Sequence, residues 1–245
     1  MPPRMVVRET LDDLAPDDPA AIRSRRDLVR VHRAMGTRAI MSRGWQNLFP
    51  PKSARVPLRI LEIGAGDGSL LLGVARAMAR HWPPVQLTLL DQQDIVSAAT
   101  LAGYADLGWT AQVQVADVLT WALQTDPVAP DGSLPRCDLI TTTLFLHHFE
   151  GPQLASLLAA VASRTDRFFA CEPKRSPMSL LGSHLVGVIG ANAETREDAV
   201  LSVRAGFRDD EITAAWSGAG DAWDTREFAA GMFSHCFSAR RMEIA

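Results

Sequence analysis

The sequence predicts an α/β protein: a doubly wound, mostly parallel seven-stranded sheet with a helical extension before it and a helical insertion after the fifth strand. Three observations carry this prediction. From Leu58 onward, short apolar runs alternate with segments of helical period. The first of those runs empties into a glycine-rich loop. The chain then closes on two further runs that read as a hairpin.

The elements follow in order. Residues 1–18 are rich in Pro and Asp and read as irregular. Asp17-Asp18-Pro19 reads as a helix start, with a capping Asp and a proline in the first turn. A helix is expected over 20–41, with Ile22, Leu28, Val31, Met35 and Ala39 near one stripe and Arg23, Arg25, Arg26, Arg30 and Arg33 on the other face. Residues 50–57 read as a linker, because proline interrupts regular structure there. Strands are expected at 58–64, 85–91, 111–117, 137–145 and 166–173, with helices at 69–82, 93–107 and 152–164 between them. Such alternation implies right-handed crossovers and a sheet covered on both faces. Residues 178–194 form an apolar stretch with three glycines, placed to make a helical lid. Helices near 195–207 and 209–216 and strands at 222–231 and 232–241 complete the chain. The expected division is a helical extension or cap over 1–55 and a sheet domain over 56–245, with 174–195 as the lid.

Composition narrows the class. Of 245 residues, 47% are apolar and 22% charged, the balance of a soluble globular protein. Cys137, Cys171 and Cys236 are odd in number and widely spaced, so neither a disulfide framework nor a CxxC metal site is indicated, and a reducing cytoplasm is expected. A net charge of −3 argues against a nucleic-acid partner. No apolar run is long enough for stable membrane insertion. The basic residues are nearly all Arg, which with the abundant Ala suggests a GC-rich bacterial coding bias.

The informative stretch is Leu61-Glu62-Ile63-Gly64-Ala65-Gly66-Asp67-Gly68. Its glycines permit positive φ and close ligand approach between a buried strand and a helix. A dinucleotide site wants G-x-G-x-x-G. Here the third glycine comes one residue early, and Glu62 is awkward beside a diphosphate but suits a cation such as an ammonium. This E-x-G-x-G-x-G loop resembles motif I of class I S-adenosylmethionine-dependent methyltransferases, and the resemblance spans roughly Leu58 to Pro173.

The resemblance implies a Rossmann-like sheet, an S-adenosylmethionine cofactor and a methyltransferase activity. It implies that Gly64, Ala65, Gly66 and Gly68 line the cofactor and that Glu62 orients it. Asp91, with Gln92 beside it, ends the second strand where a carboxylate accepts from ribose hydroxyls. The resemblance places Asp117 and Val118, after the third strand, where they would contact the adenine. It likewise implies that Thr142 and Thr143, at the end of the fourth strand, would border the methionine part. His147 and His148 resemble the LHH element of the small-molecule branch that includes ubiquinone- and menaquinone-biosynthesis methyltransferases.

Candidate catalytic residues are then His147, His148 and Glu172, all at the carboxyl edge of the sheet, where open sheets bind ligands. Histidine titrates near neutrality and can serve as base or donor. Glu172 is expected to position the acceptor or, more often for such a residue, to pair with Arg175. Cys171 reads as buried, and His184 and His235 as bystanders. No carboxylate cluster marks a metal site in the sequence, so none is expected. The apolar lid suggests a small aromatic or polyketide-like acceptor of secondary metabolism, methylated at a hydroxyl oxygen. Methylation at carbon or nitrogen, a non-catalytic cofactor-binding subunit and a homodimer all stay open. Nucleic-acid amine methylation is disfavoured by Thr141-Thr142-Thr143-Leu144 in place of N/D-P-P-Y/F, and a nicotinamide oxidoreductase by the glycine spacing.

Overall fold

A computed structural model describes residues 3–49, 57–124, 136–216 and 223–242. The expected linker at 50–57 falls almost wholly outside the described residues. Seven strands form one sheet: β1 (Leu58–Ile63), β2 (Val85–Asp91), β3 (Thr110–Val115), β4 (Leu139–Thr143), β5 (Arg167–Pro173), β6 (Trp223–Ala230) and β7 (Ser234–Arg241). Their order is β3-β2-β1-β4-β5-β7-β6. The first five pair in parallel, and β7 runs antiparallel between β5 and β6. The hairpin therefore completes a mixed sheet, as the alternating tail predicts.

Ten α-helices are described: α1 (Thr10–Asp13), α2 (Pro19–Met35), α3 (Thr37–Leu48), α4 (Ser69–Met78), α5 (Ala98–Ala105), α6 (Val118–Leu123), α7 (Gly151–Arg164), α8 (Pro177–His184), α9 (Ala193–Ala205) and α10 (Glu211–Ala215). Asp18 caps α2 through the Ala20 amide, with Pro19 in the first turn. The helix expected over 20–41 is two helices. Gly36 adopts φ 69° and ends α2, and α3 restarts at Thr37 and runs on to Leu48. A short helix, α1, stands in the segment expected to be irregular. The helix expected from 93 begins at Ala98, where the Ser97 side chain caps it.

Two apolar layers sandwich the sheet. One holds Leu71 and Met78 of α4, Tyr104 of α5, and Met41, Trp45 and Leu48 of α3. The other holds Trp121 of α6, Leu154, Leu157 and Val161 of α7, and Ile212 of α10. β4 and β5 are buried almost throughout, as a strand covered on both faces must be. α1, α2, α8 and α9 pack on one another beyond the carboxyl ends of the strands. That leaves the sheet edge roofed rather than open. Among the described residues, no helix is long and apolar enough to cross a membrane.

Candidate active site

The glycine loop is built as its sequence demands. Gly64, Gly66 and Gly68 all have positive φ, at 72°, 56° and 69°. A side chain at Gly64 would strike the Phe145 ring at 2.3 Å, whereas nothing lies within 4 Å of the corresponding position at Gly66. The loop is tied down by its neighbours. The Gly64 and Ala65 amides donate to the Leu90 carbonyl, and the buried Tyr104 hydroxyl donates to the Gly68 carbonyl at 2.8 Å. Asp91 accepts from the Gly66 amide at 2.8 Å and from the Gln93 amide at 2.9 Å, one through each oxygen.

The loop borders a cavity of about 220 Å³. Glu62, Gly64, Ala65, Gly66, Thr143 and the two histidines line it. Glu62 is buried, and its Oε2 has no hydrogen-bond partner. Burial, with Asp91 and Asp67 nearby, pushes its carboxyl well above the usual range. Such an orphaned acceptor is costly unless a donor or cation reaches it. The arrangement fits a ligand ammonium: an open glycine cradle beside a carboxylate with one free oxygen. Other expected cofactor residues stand outside this lining. Asp91 and Gly68 support the loop from behind. Gln92 and Asp117 are exposed, Asp117 capping α6 through the Thr120 amide at 2.7 Å. Val118 and Thr142 are buried, the latter with its hydroxyl unpartnered.

Beyond β4 the chain turns sharply. Leu144 sits at φ 50°, a strained conformation for a non-glycine residue, and Leu146–His148 form a single 3-10 turn. The strain is held by Glu172 at the end of β5. This fully buried carboxylate accepts from the amides of Phe145, Leu146 and His147 at 3.0–3.3 Å and from His147 Nδ1 at 2.9 Å. Glu172 thus does not pair with Arg175, contrary to the expectation from the sequence. Arg175 instead bonds Glu211 and the Gly206 carbonyl, because α10 brings Glu211 closer.

His147 is buried and His148 half-buried, their ring centres 4.3 Å apart. Both face carboxylates of the N-terminal segment. His147 Nε2 lies 3.2 Å from Glu9 and His148 Nδ1 lies 3.2 Å from Asp12. Burial alone would lower the His147 pKa, but hydrogen bonds to Glu172 and Glu9 outweigh it and push the value up to about 9. Sequence reasoning missed Glu9 entirely. It stands 138 positions before His147, and no local pattern marks it. Its placement depends on Asp198 of α9, which accepts from the Thr10 and Leu11 amides at 2.8 and 3.1 Å. Arg4 adds a second tie, donating to the carbonyls of Ala205 and His147 and stacking on Phe207.

A second cavity, of about 290 Å³, adjoins the first and is mostly apolar. Leu28 and Val31 of α2, Leu185 and Val186 after α8, and Val203 of α9 line it. Glu9, Leu11, Leu28, Leu144 and Ser202 line both cavities, so the two meet beside His147. The residues expected to form a lid therefore wall an apolar chamber. His184 is exposed, and His235 is buried against Glu227 in the hairpin at 2.8 Å. Neither borders the junction. Cys171 is fully buried, as expected.

No protein-family model and no curated protein matches the sequence. Solved structures do match. The plantazolicin methyltransferase BpumL in complex with SAH is 14% identical, with a TM-score of 0.61 over 92% of each chain. The N,N-8-amino-8-demethyl-D-riboflavin dimethyltransferase RosA from Streptomyces davawensis is 18% identical, with a TM-score of 0.57 over 96% of this chain and 62% of its own. An O-methyltransferase family protein from Burkholderia thailandensis is 12% identical, with a TM-score of 0.57 over 91% of this chain and 60% of its own. The chain spans less than two thirds of the last two. The seven-stranded sheet is thus the Rossmann-like fold that these methyltransferases share.

Proposed function

We propose that the chain is an S-adenosylmethionine-dependent methyltransferase that acts on a small, apolar aromatic or polyketide-like acceptor. The observation that carries this reading is Glu62, a buried carboxylate with one unpartnered oxygen in a cavity bordered by the glycine loop. A cofactor ammonium would supply the missing partner and favour the ionised form. Gly64, Ala65 and Gly66 would line the cofactor, with Thr143 on the opposite wall. Asp91 and Gly68 would shape the loop, and Gln92, Asp117, Val118 and Thr142 are the remaining candidates for its ribose and adenine end. SAH among the solved relatives supports the same ligand class.

When bound, the cofactor supplies an electrophilic methyl group. The protein's part is to align an acceptor with it and to handle the acceptor's proton. The apolar chamber would hold the acceptor body and present its heteroatom at the junction with the first cavity. His147 is the candidate base or positioner, with Glu172 fixing its ring and His148 beside it. A hydroxyl oxygen is the first candidate for the methylated atom. A nitrogen is the second reading, favoured by one observation: the charged side chains of the chamber, Glu9 and Asp198, are both carboxylates. The cap over 1–55 and the lid over 174–195 would enclose the acceptor. No nucleic-acid partner enters this reading; a cytoplasmic enzyme, alone or as a homodimer, is its setting.

The test is a panel of phenols, quinols, polyketides and arylamines incubated with methyl-labelled S-adenosylmethionine. Transfer of label to a phenol or quinol oxygen is the expected result. Label found only on arylamines selects the second reading, and no transfer to any small molecule contradicts both.

A further inference from the structure

We propose that Glu9, His147 and His148 bind a divalent transition-metal ion. One ligand atom from each of these three side chains lies within 4.8 Å of the others. An ion with bonds of about 2.0–2.1 Å needs its ligands somewhat closer, a contraction of roughly an ångström that side-chain rotation supplies. Two imidazoles and one carboxylate form the donor set of zinc and ferrous sites, whereas magnesium and calcium prefer oxygen alone.

The supporting groups are the second observation. Metal-bound imidazoles usually donate their other N–H to a carboxylate, which fixes the tautomer. His147 does this. Glu172 already accepts three backbone amides, so the bond of 2.9 Å to His147 places the proton on Nδ1 and leaves Nε2 as the ligand atom facing Glu9. Glu9 is fixed in turn by the Ser202 hydroxyl, and its segment by Asp198. Asp12 holds His148 through Nδ1 at 3.2 Å. The cluster also stands where the two cavities meet, so three protein ligands face space that an acceptor atom can enter. That is the layout of a catalytic ion rather than a closed structural one. Its role would be to bind the acceptor heteroatom and lower its proton affinity, with His147 then acting as a ligand that positions the ion and not as the base. Binding releases the proton between His147 Nε2 and Glu9 to solvent, so the site gains one net positive charge and no redox step is involved.

The site itself does not depend on the methyltransferase reading; only its catalytic role does. Tag-free full-length chain, stripped with chelator, is titrated with Zn²⁺ by calorimetry, and Co²⁺ binding is followed by visible absorption. One ion per chain is expected, with a tetrahedral or five-coordinate cobalt spectrum. Glu9→Gln and His148→Ala, each checked for native circular dichroism, should weaken Zn²⁺ binding by more than about tenfold, the lower bound for losing even a supporting group. Absence of stoichiometric binding overturns the inference, and so does binding that both variants leave unchanged. If Zn²⁺ fails to bind while SAH binds normally, only the metal site falls. If Zn²⁺ binds and SAH does not, only the methyltransferase reading falls.

Discussion

Asp91 supports the glycine loop of a cavity that it does not itself line. Its two oxygens are spent on the Gly66 and Gln93 amides, which ties down the glycine loop. Asp91→Ala should weaken SAH binding by about 1–3 kcal/mol, the cost of leaving the Gly66 and Gln93 amides unsatisfied and the loop loosened; unchanged calorimetric affinity would show that Asp91 does not act on the cavity. His147 poses a different question, because its contacts are to carboxylates. His147→Gln should cut turnover by about 10²–10⁴-fold, the usual worth of a positioned acid-base group, while SAH affinity stays near normal. Equal losses in both would mean that the residue only supports the turn after β4. Glu62, the glycines and the histidines were legible in the sequence because each sits at a fixed step from a strand end. Glu9 was not, because it reaches the site through Asp198 and Arg4, contacts that no periodicity encodes.

The two N-terminal helices behave differently. α2 roofs the apolar chamber, with Leu28 and Val31 on its wall. α3 belongs to the core: Met41 and Trp45 are buried against α4 and the sheet. The sequence merged the two because the apolar stripe continues across Gly36, and a glycine inside a helical pattern does not announce positive φ. Trp45→Ala should therefore cost about 3–5 kcal/mol in urea unfolding, as buried Trp truncations do; a loss below 1 kcal/mol would place α3 outside the cooperative unit. α2 also carries His32, which burial and then Arg38 push down to about 4. The unfolded chain takes up a proton below about pH 6.5 that the native ring refuses. Stability from this group should thus be full above pH 6.5, fall as pH drops toward 4, and level off below. His32→Gln should flatten that slope in pH-dependent urea titrations, and an unaltered slope would assign it to other groups.

At the scale of the whole molecule, the parallel strands place the glycine loop and the turn after β4 at one edge, and the roof of α1, α2, α8 and α9 turns that edge into two joined chambers. The strands and the closing hairpin were legible from hydrophobic period, since buried parallel strands read as apolar runs, whereas the order of the strands was not. The joining of the chambers did not, because it depends on tertiary packing of four separate helices. On the proposed function, the polar chamber takes a nucleoside with an ammonium-bearing tail and not a dinucleotide. The most direct test of this central claim is calorimetry of the full-length protein with SAH and, separately, with NAD. SAH should bind one to one at micromolar strength, with NAD showing no saturable heat; tighter binding of NAD, or no binding of SAH at millimolar concentration, would contradict the account.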